Sequence, residues 1–338
     1  FDTDTNTLII NGSWGQDAQV VYNNISPGIY YLKVPRYTGY GSYYLTSTFT
    51  PATFPNDQEF NDIIQNSIPI LPNDSLTGRL GYYGSGHTDI ADYYHFTTPV
   101  DGKIRFRVVT TDILQTNNLL IFDSDSLSIL TSGNWGIDAF VEYPNLAAGD
   151  YFMKVPRYTG YGSYYITATF TPAVFSTDTE PNKIAQNSML LNIGDTVTGH
   201  LGFYGNDIFD GSDWYRFIVT ERGKVTFNAW GVGPLQFNNL LIFGTDTTSL
   251  LGYGSWGTSG SVNTLITEPG TYFFKLNQYT GYGSYQLTSE FKPVPAADFS
   301  FIQNLHTVSF TNLTTGADQY TWNFGDGTTS TQVSPTKT

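Results

Sequence analysis

The sequence predicts an all-β chain of antiparallel β-sandwich domains in tandem, and three observations predict it. Aromatic residues reach 16% of the 338 positions while charged residues reach only 13%. The remainder is dominated by Thr, Ser, Asn and Gly, a mixture that favours strands and turns over helices. Turn residues interrupt short apolar runs roughly every 10 residues, the spacing of sandwiches and barrel-like sandwiches. A long block of sequence also returns at a fixed offset of 121 residues, so one architecture is used more than once.

The repeat organises the chain. Arg36-Tyr37-Thr38-Gly39-Tyr40-Gly41-Ser42-Tyr43-Tyr44 returns as Arg157 to Tyr165 and, altered at its ends, as Gln278 to Gln286. Trp14, Trp135 and Trp256 share the offset, as do Gly28, Gly149 and Gly270, and Asp92 and Asp213. Between 30–54 and 151–175, 20 of 25 positions are identical. Within one complete copy, strands are expected at Tyr93 to Phe96, Lys103 to Val109, Leu119 to Phe122, Ala139 to Tyr143, Tyr151 to Val155 and Tyr164 to Phe170. The one helical candidate is Asp62 to Asn66, with its counterpart Lys183 to Asn187. In the closing strand Tyr43, Leu45, Ser47 and Phe49 alternate with Tyr44, Thr46 and Thr48, so Tyr43 should point inward and Tyr44 outward.

Four segments follow: 1–50, the C-terminal half of a repeat; 55–171 and 176–292, two complete β-sandwiches; and 296–338, the first part of a different β domain. The linkers, Thr50 to Pro55 and Thr171 to Phe175, are short, Pro-containing and placed at the same repeat position, which predicts a rod. Half-sandwiches at both ends would leave open edges. These are expected to be covered by further sequence of the same protein or by strands from a neighbouring copy.

Composition excludes several functions. A net charge of -14 without a Lys/Arg cluster opposes binding to a phosphate backbone. With no Cys, disulfides, thiolate zinc sites and Cys nucleophiles are all excluded. No apolar run approaches a membrane span. The chain opens inside a pattern at Phe1-Asp2-Thr3-Asp4, as a mature or trimmed piece would.

The repeated copy resembles the bacterial pre-peptidase C-terminal (PPC) domain. The likeness rests on Glu180-Pro181-Asn182, Gly194-Asp195-Thr196-Val197-Thr198-Gly199, Asp213-Trp214-Tyr215-Arg216-Phe217, Pro269-Gly270-Thr271-Tyr272 and Gly283 to Thr288. The second copy keeps Glu59, Asn61, Leu76-Thr77-Gly78 and Asp92 to Phe96 but carries Phe60 where that family usually has Pro. The tail resembles a PKD domain, an immunoglobulin-like sandwich, through Trp322-Asn323-Phe324-Gly325-Asp326-Gly327-Thr328-Thr329-Ser330 and Pro335, with Lys337 where that family commonly has His. The combination implies a secreted or cell-surface bacterial protein engaged in adhesion, targeting or spacing.

Two constellations are candidate sites. Glu180, Asn182, Asp210 and Asp213, with Glu59, Asn61, Asp89 and Asp92 in the second copy, are hard oxygen donors of the kind Ca²⁺ takes, and the PPC resemblance implies calcium there. Asp and Asn at strand ends also form Asx turns, so both readings stand. The pairs Asp2/Asp4 and Asp123/Asp125 read as turn residues, because Gly244 breaks the pattern in the third copy. Tyr37, Tyr40, Tyr158, Tyr161, Tyr279 and Tyr282 lie in the Gly-rich loop, near Trp14, Trp135 and Trp256. Stacked rings suit glycan binding, while a loop kept in every copy also suits packing between neighbouring repeats or copies of the chain, and packing is the favoured use.

No catalytic residues are expected. His87, His95, His200 and His306 are scattered, and the first two become Ile208 and Arg216 one copy later. The leading expectation is a non-catalytic extracellular segment of a large exported bacterial surface protein, an adhesin stalk or filament. The rival is a substrate-targeting C-terminal region of a secreted peptidase or glycosidase that binds polysaccharide or collagen.

Overall fold

The computed structural model describes residues 1–54, 58–174, 179–206 and 208–338, so Pro55 and Phe175 of the expected linkers lie outside the described residues. The chain forms two compact units, one of 1–173 with 203–209 and one of 174–202 with 210–338.

In the first unit, a five-membered path runs Ile68–Pro69, Ala91–Thr98, Gly149–Thr159, Leu120–Phe122 and Ile129–Ser132, with Gln115–Thr116 paired to the Gly149–Thr159 strand. The facing sheet runs Ile208–Phe209, Tyr204–Gly205, Asp138–Leu146, Gly102–Thr110, Gly162–Pro172 and Ser75–Leu80. Strict alternation explains the core. Along Gly102–Thr110, Ile104, Phe106 and Val108 are buried while Lys103, Arg105 and Arg107 face out, as a period of two requires. Phe96, Tyr151, Met153 and Ile166 complete one contiguous cluster.

The second unit repeats this plan. Its sheets run Met189–Leu190, Ser212–Val219, Gly270–Thr280, Gln236–Phe243, Leu250–Tyr253 and Thr196–Leu201, Gly283–Pro293, Gly223–Gly231, Ser259–Ile266. The strand order of the two complete copies is therefore the same. Equivalent positions fill both cores, Val225 for Ile104, Phe227 for Phe106 and Leu287 for Ile166. The expected helices are single 3₁₀ turns, Ile64–Asn66 and Ala185–Asn187. Phe299–Asn304, Thr307–Asn312 and Thr336–Lys337 make a three-stranded sheet, and Trp322–Asn323 pairs with Thr329–Ser330. Phe310 gathers Phe299, Trp322 and Phe324 around it at ring separations of 5.3–5.9 Å.

The first copy departs from the expected pleat. Tyr43 and Tyr44 are both exposed and residues 40–50 form no strand. In the second copy Tyr164 is buried and Tyr165 exposed, as alternation demands. The difference is one of partners. Gly162–Pro172 is held between Gly102–Thr110 and Ser75–Leu80, whereas among the described residues 40–50 pair with no strand.

Candidate functional site

The linker reaches its sheet through the backbone of an asparagine. Tyr93 donates its N–H to the Asn61 carbonyl and Trp214 donates to that of Asn182, each at 3.0 Å. Both asparagines are fully buried, and among the described residues their side-chain amides have no hydrogen-bond partner. Gly81 and Gly202 donate to the carbonyls of Asp89 and Asp210, which closes the acidic loop beside the linker.

Two carboxylate groups result. Glu59, Asp62 and Asp89 bring ligand oxygens within 4.8 Å of one another, and so do Glu180, His200 and Asp210 with two carboxylates and an imidazole nitrogen. Of the expected donors, Glu59 and Asp89 thus meet, as do Glu180 and Asp210. Asp62 and His200 join them, and sequence reasoning missed both. The clue to His200 is positional: it occupies the place of Arg79. The Arg79 guanidinium lies 3.5 Å from the Glu59 carboxylate and is buried, so the second copy carries its own counter-charge while the third presents an imidazole instead.

Asp92 and Asp213, also expected as donors, do not join these groups and are held in the core. Tyr164 donates its hydroxyl to Asp92 Oδ2, and Tyr94 and Tyr164 hydroxyls are 2.6 Å apart. Tyr285, Asp213 and Tyr215 repeat the arrangement, with 2.7 Å between hydroxyls. Because the second tyrosine gives its proton to the carboxylate, the first donates to the second, and each chain ends on a fully buried acid. An ionised acceptor makes the stronger bond.

The aromatic loop is set by backbone geometry. Gly39, Gly160 and Gly281 have φ of 74–75°, and a Cβ at Gly160 would lie 1.8 Å from the Ile113 carbonyl oxygen, so glycine is required. Arg36, Arg157 and Gln278 each donate a side-chain N–H to the carbonyl of the glycine three residues on. That shared role explains why Arg and Gln interchange here: the donor matters, and charge does not. Trp14 pairs with Tyr37, Trp135 with Tyr158 and Trp256 with Tyr279 at ring separations of 6.3, 5.8 and 6.2 Å. These six rings are 60–90% exposed. Tyr161 instead lies half-buried against Tyr82 at 6.0 Å; Tyr282 is also half-buried and Tyr40 exposed.

The histidines do not gather. His87 lies 3.1 Å from Asp62, His95 meets Ser67, and His306 is exposed. Among the described residues no helix is long and apolar enough to cross a membrane.

No family model matches the chain, and no curated protein matches it in sequence. Among solved structures it is similar to the pre-peptidase C-terminal domain of a collagenase from Bacillus anthracis, with 20% identity, 33% of this chain and 100% of that chain covered, and a TM-score of 0.27. It is also similar to the PBSX exported protein XepA, with 9% identity, 66% of this chain and 83% of that chain covered, and a TM-score of 0.16.

Proposed function

We propose that this chain is a non-catalytic repeat segment of an exported bacterial surface protein, working outside the cell as an adhesin stalk or filament. One observation carries the reading: the same exposed Trp–Tyr pair is presented three times at an offset of 121 residues, on copies whose interiors are filled by packed side chains. Repetition of a binding surface raises avidity without any new contact. The complete reading frame tests it. Further copies of the repeat on either side are expected, together with surface labelling of intact cells by antibody against this segment. A single catalytic domain directly upstream, with no further copies, would overturn it in favour of a targeting tail.

The exposed Trp–Tyr pairs support that second reading too, since paired rings suit the faces of sugar rings. Depletion of the chain by insoluble polysaccharide or collagen fibrils, abolished when Trp135 and Trp256 are both replaced by Ala, would favour it.

The acidic groups fit Ca²⁺ in chemistry. Carboxylate and amide oxygens are its preferred donors, and the two buried Asn amides are satisfied by no described residue. Glu59, Asn61, Asp62 and Asp89 would hold the ion in the second copy, and Glu180, Asn182 and Asp210 in the third. Bound calcium would supply positive charge that ties the linker to the acidic loop. In the second copy Arg79 already supplies part of that charge, so the third copy is proposed as the more dependent on the ion. The PKD-like identity of 296–338 and the domain limits 1–50, 55–171 and 176–292 belong to the same proposal.

A further inference from the structure

Asp2 and Asp123 occupy equivalent repeat positions and are buried, at 2% and 0% exposure. Their neighbours Asp4, Asp125 and Asp246 do what a turn residue does, accepting N–H groups two and three residues on. Asp2 and Asp123 do more. Asp2 accepts the Gly86 N–H at 2.5 Å, and Asp123 accepts the Asn206 N–H at 2.7 Å. Both donors sit at the tip of a tight hairpin that belongs, by sequence, to the following repeat.

The two hairpins dock in the same way. Tyr83 pairs in parallel with Ile25 in an isolated bridge, and Tyr204 with Leu146, so each hairpin bonds to the preceding copy, the second one extending the edge of that copy's sheet. Tyr30 and Tyr151, again equivalent, donate their hydroxyls to the carbonyls of Ser26 and Ala147 beneath the hairpins. A Cβ at Gly84 would lie 2.7 Å from the Tyr30 hydroxyl, and one at Gly205 2.0 Å from that of Tyr151. Only glycine allows that approach. Asn206 adds a side-chain bond of 2.9 Å to the Ala148 carbonyl.

The third copy lacks both halves of this socket. Gly244 stands where Asp123 does. The edge strand differs as well: Asp138–Leu146 is bulged between Tyr143 and Leu146, where its hairpin docks, whereas Ser259–Ile266 pairs in unbroken register to Gly223. In place of a docked hairpin there is a cleft of about 220 Å³ lined by Gly244, Leu265, Ile266 and Tyr272. After the third copy, from residue 296, the sequence no longer follows the repeat.

We propose that the buried carboxylate at positions 2 and 123 is the recognition element by which one repeat receives the next. Its partner is the glycine-bearing hairpin of a following copy of the same repeat, and Gly244 marks a copy that is not built to receive one. This goes beyond the stalk reading and stands whether the chain is a stalk or a targeting tail.

Backbone amide exchange on the full ¹⁵N-labelled chain tests it. In Asp123→Ala the Asn206 amide should exchange at least roughly tenfold faster, the scale set by a lost charge-assisted bond. Gly86, held by Asp2, should stay unchanged, as should Val225 to Ala229. Gly205→Val should release Asn206 in the same way, and Asp2→Ala should release Gly86 alone. Unaltered Asn206 exchange in both Asp123→Ala and Gly205→Val would overturn the proposal. Loss of protection at Met153 to Val155 together with Asn206 would also overturn it, by making Asp123 a core residue of its own repeat.

Discussion

At the residue scale, the decisive feature is a pair of tyrosines that ends on a buried acid. Tyr215 donates to Tyr285 and Tyr285 to Asp213 in the core of the third copy, so each hydroxyl has an acceptor without water. Removing the terminal acceptor leaves a buried donor unmatched, which costs about 1–3 kcal/mol. Asp213→Ala should therefore lower stability by about that amount in urea titrations with chelator present. Tyr215→Phe, which deletes the first donor and leaves Tyr285 bonded to Asp213, should cost less. Equal or smaller loss in Asp213→Ala than in Tyr215→Phe would contradict the ordering. The sequence marks Asp92 and Asp213 by their place before the aromatic strand, but it is silent on which oxygen a tyrosine 72 residues away would take.

At the scale of single elements, close packing decides what the pleat leaves open. Gly78 lies on Ser75–Leu80 opposite Tyr164, and a Cβ there would approach the Tyr164 ring to 2.4 Å. Gly78→Ala should push that ring off Asp92 and destabilise by about 1–3 kcal/mol, the usual cost of overpacking. A thermal melt of the full chain reads this, and an unchanged melt would count against it. Turns behave differently, because their acids face water. Asp246 is held well below its ordinary value of 3.8, first by the Ser249 hydroxyl and then by the Ser249 and Thr248 N–H groups. A lowered pKa means the turn gains from ionisation above 3.8 and loses that gain only as pH falls through the lower value. The Asp246 carboxyl should thus titrate below 3.8 by ¹³C NMR. A midpoint at or above that value would refute the turn bonding.

At the scale of the whole molecule, the acidic groups predict a response to metal. A ligand that binds only the folded state stabilises it by about 2.7 kcal/mol when present at roughly 100 times its Kd. Adding Ca²⁺ should raise the melting transition of the full chain, and a chelator should reverse it. Glu180→Ala should abolish most of the rise, because the third copy has His200 where the second carries Arg79. Arg79 already meets Glu59 at 3.5 Å, so Glu59→Ala should remove less of it. A melt indifferent to both calcium and chelator would exclude the ion.

In the two complete copies, the six expected strands, their buried faces and the equality of the copies were determined by the sequence itself. All three are periodic or local properties, set by alternation along a strand and by a gapless 121-residue offset. The aromatic loop was legible for the same reason. What only the tertiary structure decided is which distant group each side chain meets. Asp2 and Asp4 are two residues apart in one turn, yet Asp4 bonds its own turn while Asp2 accepts an N–H 84 residues along the chain. Asp62 and His200 join their acidic groups from positions that carry no motif. Tyr43 and Tyr164 share a sequence context but not a fate, since one is exposed and the other buried between two partner strands. Burial and ion pairing depend on what the rest of the chain places opposite a residue, and a local pattern carries no record of that.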